Sequence, residues 1–248
     1  MSSLSEIIGI LADNRLNTVN TAIPGYIVKV HRDKMAVDVQ PSINEMDEDG
    51  TTRRRPILLD VPYMLPMTEN SAVLMPVHEG DFVLVVFGMR SMDNFKHGTG
   101  METKPTDRRQ HAIDDGVAII GLRPFSKSIN RPSAWKHDHN QFDLVVVHNL
   151  GSATECEIRM SESGNVTVNT DQDFTVNARS ITLNGQQGVS IKTPTLAVEA
   201  QATTWTGNIT HSGNYVQTGV STFNGIPFHT HIHGGVMPGS GTTAVPQA

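Results

Sequence analysis

Between Val166 and Val198 the chain places a pair of apolar residues every seven or eight positions. The pairs are Val166 with Val168, Phe174 with Val176, Ile181 with Leu183, Val189 with Ile191, and Leu196 with Val198. Successive pairs begin 8, 7, 8 and 7 residues apart, and the two members of a pair are separated by two. That inner spacing sends both side chains to one face of a short strand. Turn-forming residues fill the gaps: Asn169-Thr170-Asp171, Asn177-Ala178-Arg179, Gly185 to Gly188, and Thr193-Pro194. Short strands joined by turns at a fixed period predict a solenoid or β-helix. A single-chain coil that encloses its own core needs about 18 or more residues per turn. One strand and one corner cannot enclose anything. Three chains, each giving one strand per layer, can close a triangular prism whose sheet edges pair between chains. The repeat therefore predicts an intertwined homotrimer over residues 157–226.

Composition agrees with a core completed by neighbouring copies. Apolar residues make up 38% of the 248 and aromatic ones 5%, so large core-filling side chains are scarce. Thr, Asn, Ser and Gly crowd the second half instead. A formal charge of -6 argues against a general nucleic-acid binder, which carries a basic patch. The single cysteine excludes an intrachain disulfide framework and a cysteine-built zinc site. The strongest apolar run, Phe82 to Phe87, is far short of the roughly 20 residues of a spanning helix. The first residues, Met-Ser-Ser-Leu-Ser-Glu, lack the basic and apolar regions of a signal peptide, so synthesis in the cytoplasm is expected.

Ahead of the repeat the pattern is different. Leu4, Ile7, Ile8, Leu11 and Leu16 have helical spacing within a segment spanning residues 1–22, with Ser3 or Ser5 as the cap. This helix is either a plain surface element or a docking element for a partner or sister chain. From Gly25 the period becomes two: Tyr26, Val28 and Val30, then Met35, Val37 and Val39 beyond the turn Arg32-Asp33-Lys34, predict a hairpin. Further strands are predicted at Ile57–Val61, Ala72–Val77, Phe82–Val86 and Gly116–Leu122. Strands this short and numerous, with no long helical period, predict an OB-fold barrel over 23–125. Its strands lack the interleaved aromatics of an oligonucleotide binder. The acidic stretch Glu45 to Gly50 imitates the start of a calcium loop, but the twelfth place, which needs a bidentate glutamate, holds Pro56. A solvated loop is the expectation there. The basic runs Arg53-Arg54-Arg55 and Arg108-Arg109 fit a solvated face or ion pairs with that loop better than a phosphate site. Residues 126–156 read as a connector holding one strand, Phe142 to Val147, with His137-Asp138-His139 in a loop.

The end of the chain concentrates imidazoles: His229-Thr230-His231-Ile232-His233, then Gly234-Gly235. Alternate residues of an extended segment share a face. A threefold axis multiplies each position by three, so a His-x-His pair offers six imidazoles, the count of an octahedral metal. A zinc enzyme needs three ligands and an open position instead.

Residues 229–246, His-Thr-His-Ile-His-Gly-Gly-Val-Met-Pro-Gly-Ser-Gly-Thr-Thr-Ala-Val-Pro, resemble the tip of the central spike (baseplate assembly protein V) of contractile-tailed bacteriophages. That family's tip carries His-x-His before Gly-Gly-Val, a Gly-rich stretch and a late proline. The pattern falls on His231, His233, Gly234, Gly235 and Val236, with His229 an additional histidine the pattern does not require. The segment Asp107 to Gly116 resembles the last loop and strand of that family's barrel, and the order barrel, prism, apex is similar. The resemblance implies a spike driven through the host outer membrane on sheath contraction. It implies an iron ion, one per trimer, held in the apex (227–248) by His231 and His233, with His229 as the alternative ligand. It further implies a baseplate hub or tube holding the barrel, and a place in the virion. A puncturing device needs no catalytic motif, and none is present: no Gly-x-Ser-x-Gly, no His-Glu-x-x-His, no phosphate-binding glycine loop. The competing reading is a β-helical tail-associated depolymerase, which needs a pair of carboxylates in a groove. Glu162, Asp171, Asp173 and Glu199 sit mostly at turns of a region too narrow for a sugar cleft.

Overall fold

The computed structural model describes residues 3–47, 49–227 and 239, and falls into two units, Met1–Asn177 and Ala178–Ala248. The first unit opens with helix α1 (Leu4–Asn17). Ser3 is its cap: the Ser3 hydroxyl accepts from the Glu6 amide at 3.2 Å, and the Glu6 carboxylate accepts from the Ser3 amide at 2.6 Å. This reciprocal pair satisfies two amides that a helix start leaves free. The apolar side chains Leu4, Ile7, Ile8, Leu11 and Leu16 are all exposed.

A five-stranded closed barrel follows. Its strands are β1 (Ala22–His31), β2 (Ala36–Pro41), β5 (Leu58–Met64), β6 (Phe82–Phe87) and β7 (Gly116–Ile120). Between β2 and β5 lies a small ladder of β3 (Glu45–Met46) and β4 (Thr52–Arg53). Around the barrel the order is β1-β2-β5-β7-β6, with β6 closing on β1. All pairs are antiparallel except β5 with β7, which is parallel. The interior is filled by Ile27, Val37, Val39, Leu58, Val61, Val77, Val83, Val85, Phe87 and Ala118. A side chain at Gly25 would put its Cβ 2.6 Å from Val39 Cγ1, so only glycine allows β1 and β2 to lie this close.

The predicted hairpin is present, and Val37 and Val39 face the core as the alternation gave them, but the inward face of β1 is different. Val28 is the extra residue of a β-bulge: Ile27 faces Val39, while Lys29 faces Asp38 and Val30 faces Val37. Ile27 is therefore buried, Val30 packs on the core, and Tyr26 and Val28 are only half-buried. A bulge shifts the register by one, and strict alternation cannot see it. A second irregularity lies in β5, where Leu58 faces Val39 and Val61 faces Val37, leaving Leu59 and Asp60 opposite one residue. Asp60 takes φ +52° to make the step.

Ala72–Val77 is not a strand. A single bridge joins Ala72 to Met67, and the prolines at 66 and 76 remove amide donors that a ladder needs. Val77 nonetheless reaches the core. A short helix α2 (Asp93–His97) was not anticipated and makes up part of the loop between β6 and β7.

Beyond the barrel, β8 (Leu144–His148), β9 (Cys156–Met160) and β10 (Val166–Asn169) form an antiparallel sheet in the order β10-β9-β8. The strand expected in the connector is β8. The sheet continues across residues 156 and 157, where connector was expected to give way to repeat. The first apolar pair of the repeat, Val166 and Val168, lies in β10.

Among the described residues no strand lies between Asn169 and Thr222. Phe174 and Val176 in the first unit are exposed, and so are Ile181, Leu183, Val189, Ile191, Leu196 and Val198 in the second. Among its described residues the second unit holds one two-residue ladder, β11 (Thr222–Phe223) with β12 (Ile226–Pro227). Asn224 and Gly225 turn between them at φ +51° and +80°, the Asn-Gly turn that matches strand twist.

Candidate functional site

The ligands expected from sequence, His231 and His233 with His229 as alternative, lie outside the described residues. The Asn224-Gly225 turn and β12 precede them directly in sequence. The other His-x-His, His137-Asp138-His139, lies in a loop as expected, and the His139 ring stacks on Trp135 with centroids 4.4 Å apart.

One cluster among the described residues has metal-ligand chemistry: His31, Asp38 and Asp60. It sits between the two barrel irregularities, since Asp38 on β2 faces Lys29 across the Val28 bulge and Asp60 is the left-handed residue of β5. His31 Nε2 is 2.9 Å from Asp38 Oδ1 and 3.5 Å from Asp60 Oδ1. Asp38 Oδ1 also accepts the Asp60 amide at 2.9 Å, and Lys34 Nζ lies 2.6 Å from Asp60 Oδ1. Lysine already supplies the cation that Asp60 needs, so the cluster works as a clasp between hairpin and β5. Burial pushes the Asp38 carboxyl up, but the Asp60 amide and His31 outweigh it and hold it below its ordinary range.

A second network closes the barrel at the segment Asp107 to Gly116. Asp115 is fully buried, and Arg109 binds it at both oxygens, Nε to Oδ2 at 2.8 Å and Nη2 to Oδ1 at 2.9 Å. Arg109 also reaches Asp93 at 2.8 Å and Asp107 at 3.1 Å, and the Met92 amide donates to Asp115 at 2.8 Å. The Arg109 guanidinium is the main reason the Asp115 carboxyl sits below its ordinary value, with burial opposing. Sequence reading took Arg109 as solvated or paired with the acidic loop, and its partners are instead α2 and its own loop. The acidic loop does attract arginines: Arg53 contacts Asp47 at 2.9 Å and Arg55 contacts Glu45 at 3.0 Å.

A third carboxylate is held by backbone. Glu155, buried ahead of β9, accepts amides from Lys136, His137 and Gly151. Burial raises its carboxyl, and these donors more than offset it, so it stays ionised. Beside it Glu157 pairs with Arg159 at 3.0 Å and accepts from Asn169 at 2.8 Å. No local pattern marks these partners, which lie 12 to 19 residues away in sequence for Asn169 and Lys136.

These shifts have a definite sign. Asp38, Asp115 and Glu155 bind protons less readily folded than unfolded, so their contribution is complete above the unfolded range and is lost as pH falls below it through the lowered folded-state values. Thermal melts are expected to lose stability progressively below about pH 4.5. A melting temperature unchanged from pH 6 to pH 3 (both about) would show that these carboxylates are not held as described.

With the geometry in place, the chain can be set against known families. Residues 23–121 match the phage protein Gp138 N-terminal domain, and residues 225–247 match the GpV apex motif. Both are families of phage spike proteins, and together the two matches support a phage central spike. The first match covers the barrel from β1 through β7, including the Arg109–Asp115 closure. The second covers β12 and all three histidines of the terminal cluster. The curated proteins contain no match to the chain. The matches support a structural role in a phage tail spike and imply association with the tail baseplate, and the described part is mostly β with few helices.

Proposed function

We propose that this spike is a homotrimer that pierces the host outer membrane when the tail sheath contracts. The observation that carries the reading is the exposure of every apolar pair of the repeat in a single chain, from Phe174 to Val198. Eight such side chains on solvent are far more than scattered surface apolar residues, and contiguous apolar surface marks an interaction site. Two further copies supply matching strands at the same period, bury the pairs and satisfy the strand edges. On this reading residues 1–22 and 23–125 hold the tail hub or tube, 126–156 connect, 157–226 form the trimeric β-helix and 227–248 the apex.

The apex residues suit a metal by donor chemistry. His231 and His233 from three chains offer six neutral imidazoles, a set that fits a divalent transition metal such as iron. The metal supplies a cross-link among three chain ends, and a full ligand set leaves no position for a substrate. His231 and His233 orient the ends, and Gly234-Gly235 lets the chain turn without a Cβ penalty. The reading is of a non-enzyme. The two most buried carboxylates among the described residues, Asp115 and Glu155, are tied to Arg109 and to backbone donors that hold them ionised, whereas a glycosidase acid must be held protonated. Synthesis takes place in the host cytoplasm, contact with the outer membrane is transient, and no nucleic acid is bound.

Native mass measurement with metal analysis on the full chain tests this. The expected result is a trimer carrying one iron. A metal-free monomer refutes it.

A further inference from the structure

The sheet β8-β9-β10 is built inside out. Its register places Leu144, Met160 and Val166 in one cross-strand row and Val146, Ile158 and Val168 in the next. All six point to the same face, because side chains alternate along each strand. They are between 43 and 67% exposed. The opposite face carries Glu157, which binds both Arg159 and Asn169, beside Val145 and Val147, and it is the better buried of the two. Arg159 reaches on to Asp143 at 3.5 Å. A sheet that covers its mixed face and leaves two full apolar rows to water lacks its partner. Val146 also lines a groove of about 920 Å³ together with Val73, Leu74, Met75 and Leu122, so the apolar surface extends onto the barrel loops.

We infer that this face is the first layer of the trimer: three copies of β8-β9-β10 pack around the axis as a collar ahead of the repeat. The inference rests on the trimeric reading and adds where the interface begins. The occupant is a sister chain because the face runs directly into the repeat in sequence. Val166 and Val168 are both the last members of the two apolar rows and the first pair of the seven-to-eight-residue period. Whatever covers the later pairs must cover these, and rows that cross all three strands extend the same surface back to Leu144. Sheets pack face to face about 10 Å apart, a spacing that three such faces can share around one axis. The interface thus includes segments that the repeat's period alone does not reach.

The only cysteine of the chain reports on this. Cys156 lies on β9 at the same parity as Ile158 and Met160, and it pairs with His148 in the next row of the apolar face. In a lone chain it is partly exposed. Thiol reactivity follows access, so alkylation of Cys156 in the native full chain is expected to be at least about 100-fold slower than in urea. A thiol on an uncovered face reacts within about tenfold of the unfolded rate. The Ile158→Asp variant is expected to lower the trimer fraction in sedimentation and to restore Cys156 reactivity. A trimer whose Cys156 reacts as an open thiol overturns the collar and leaves the trimeric repeat standing. A monomer with an open thiol overturns both. The unsubstituted chain decides the matter even where the variant fails to fold.

Discussion

The Ile181→Asp variant is expected to fail to trimerise. On the proposed prism Ile181 faces the axis, so the substitution would bring three carboxylates together where water is excluded. Each isolated buried charge costs several kcal/mol, and mutual repulsion adds to it. Protonation relieves part of that cost but still leaves three polar groups in an apolar layer. Sedimentation should find mostly monomer at concentrations where the parent is trimeric, while the barrel's own melting transition persists. Val189→Asp, one repeat further on, should behave alike. A variant that assembles and melts like the parent would place these side chains outside the core and remove the reason for a trimer.

The double change His231→Ala with His233→Ala is expected to abolish bound metal. Structural zinc sites contribute on the order of 10 kcal/mol, and a metal pinning three chain ends is of the same kind. The effect belongs to the tip: the ends fray, since terminal residues are poorly ordered unless tied down. Barrel melting should be unchanged. Metal that survives the double change but disappears with His229→Ala would put the site on the other pair. Metal content untouched by all three substitutions would remove the apex reading.

The barrel was legible because half-buried antiparallel strands advertise themselves by alternation, and Phe82–Phe87 and Gly116–Ile120 fall where their patterns put them. Its errors have one cause each. Val28 and Asp60 interrupt the period of two, and Pro66 and Pro76 turn an apolar run into a loop that still delivers Val77 to the core. The buried carboxylates were not legible. Asp115 draws on Met92 and Asp93, and Glu155 on Lys136, and such meetings are made by tertiary structure. The Asn224-Gly225 turn is carried by a local dipeptide and is legible in sequence. The cluster His229 to His233 is visible in sequence by residue type and spacing, and the apex match falls on it.

A barrel that closes on itself has no free sheet edge, and its ten core side chains come from one chain. It can therefore reach its final form as a first-order process, soon after its residues leave the ribosome. If the collar forms as proposed, the apolar rows of β8-β9-β10 have no such independence. Their completion needs three chains, so it waits on encounter and speeds up with concentration. Between the two events the nascent molecule carries a finished barrel and uncovered apolar rows. Chains made from one message, close together in space, would then find each other before those rows found anything else.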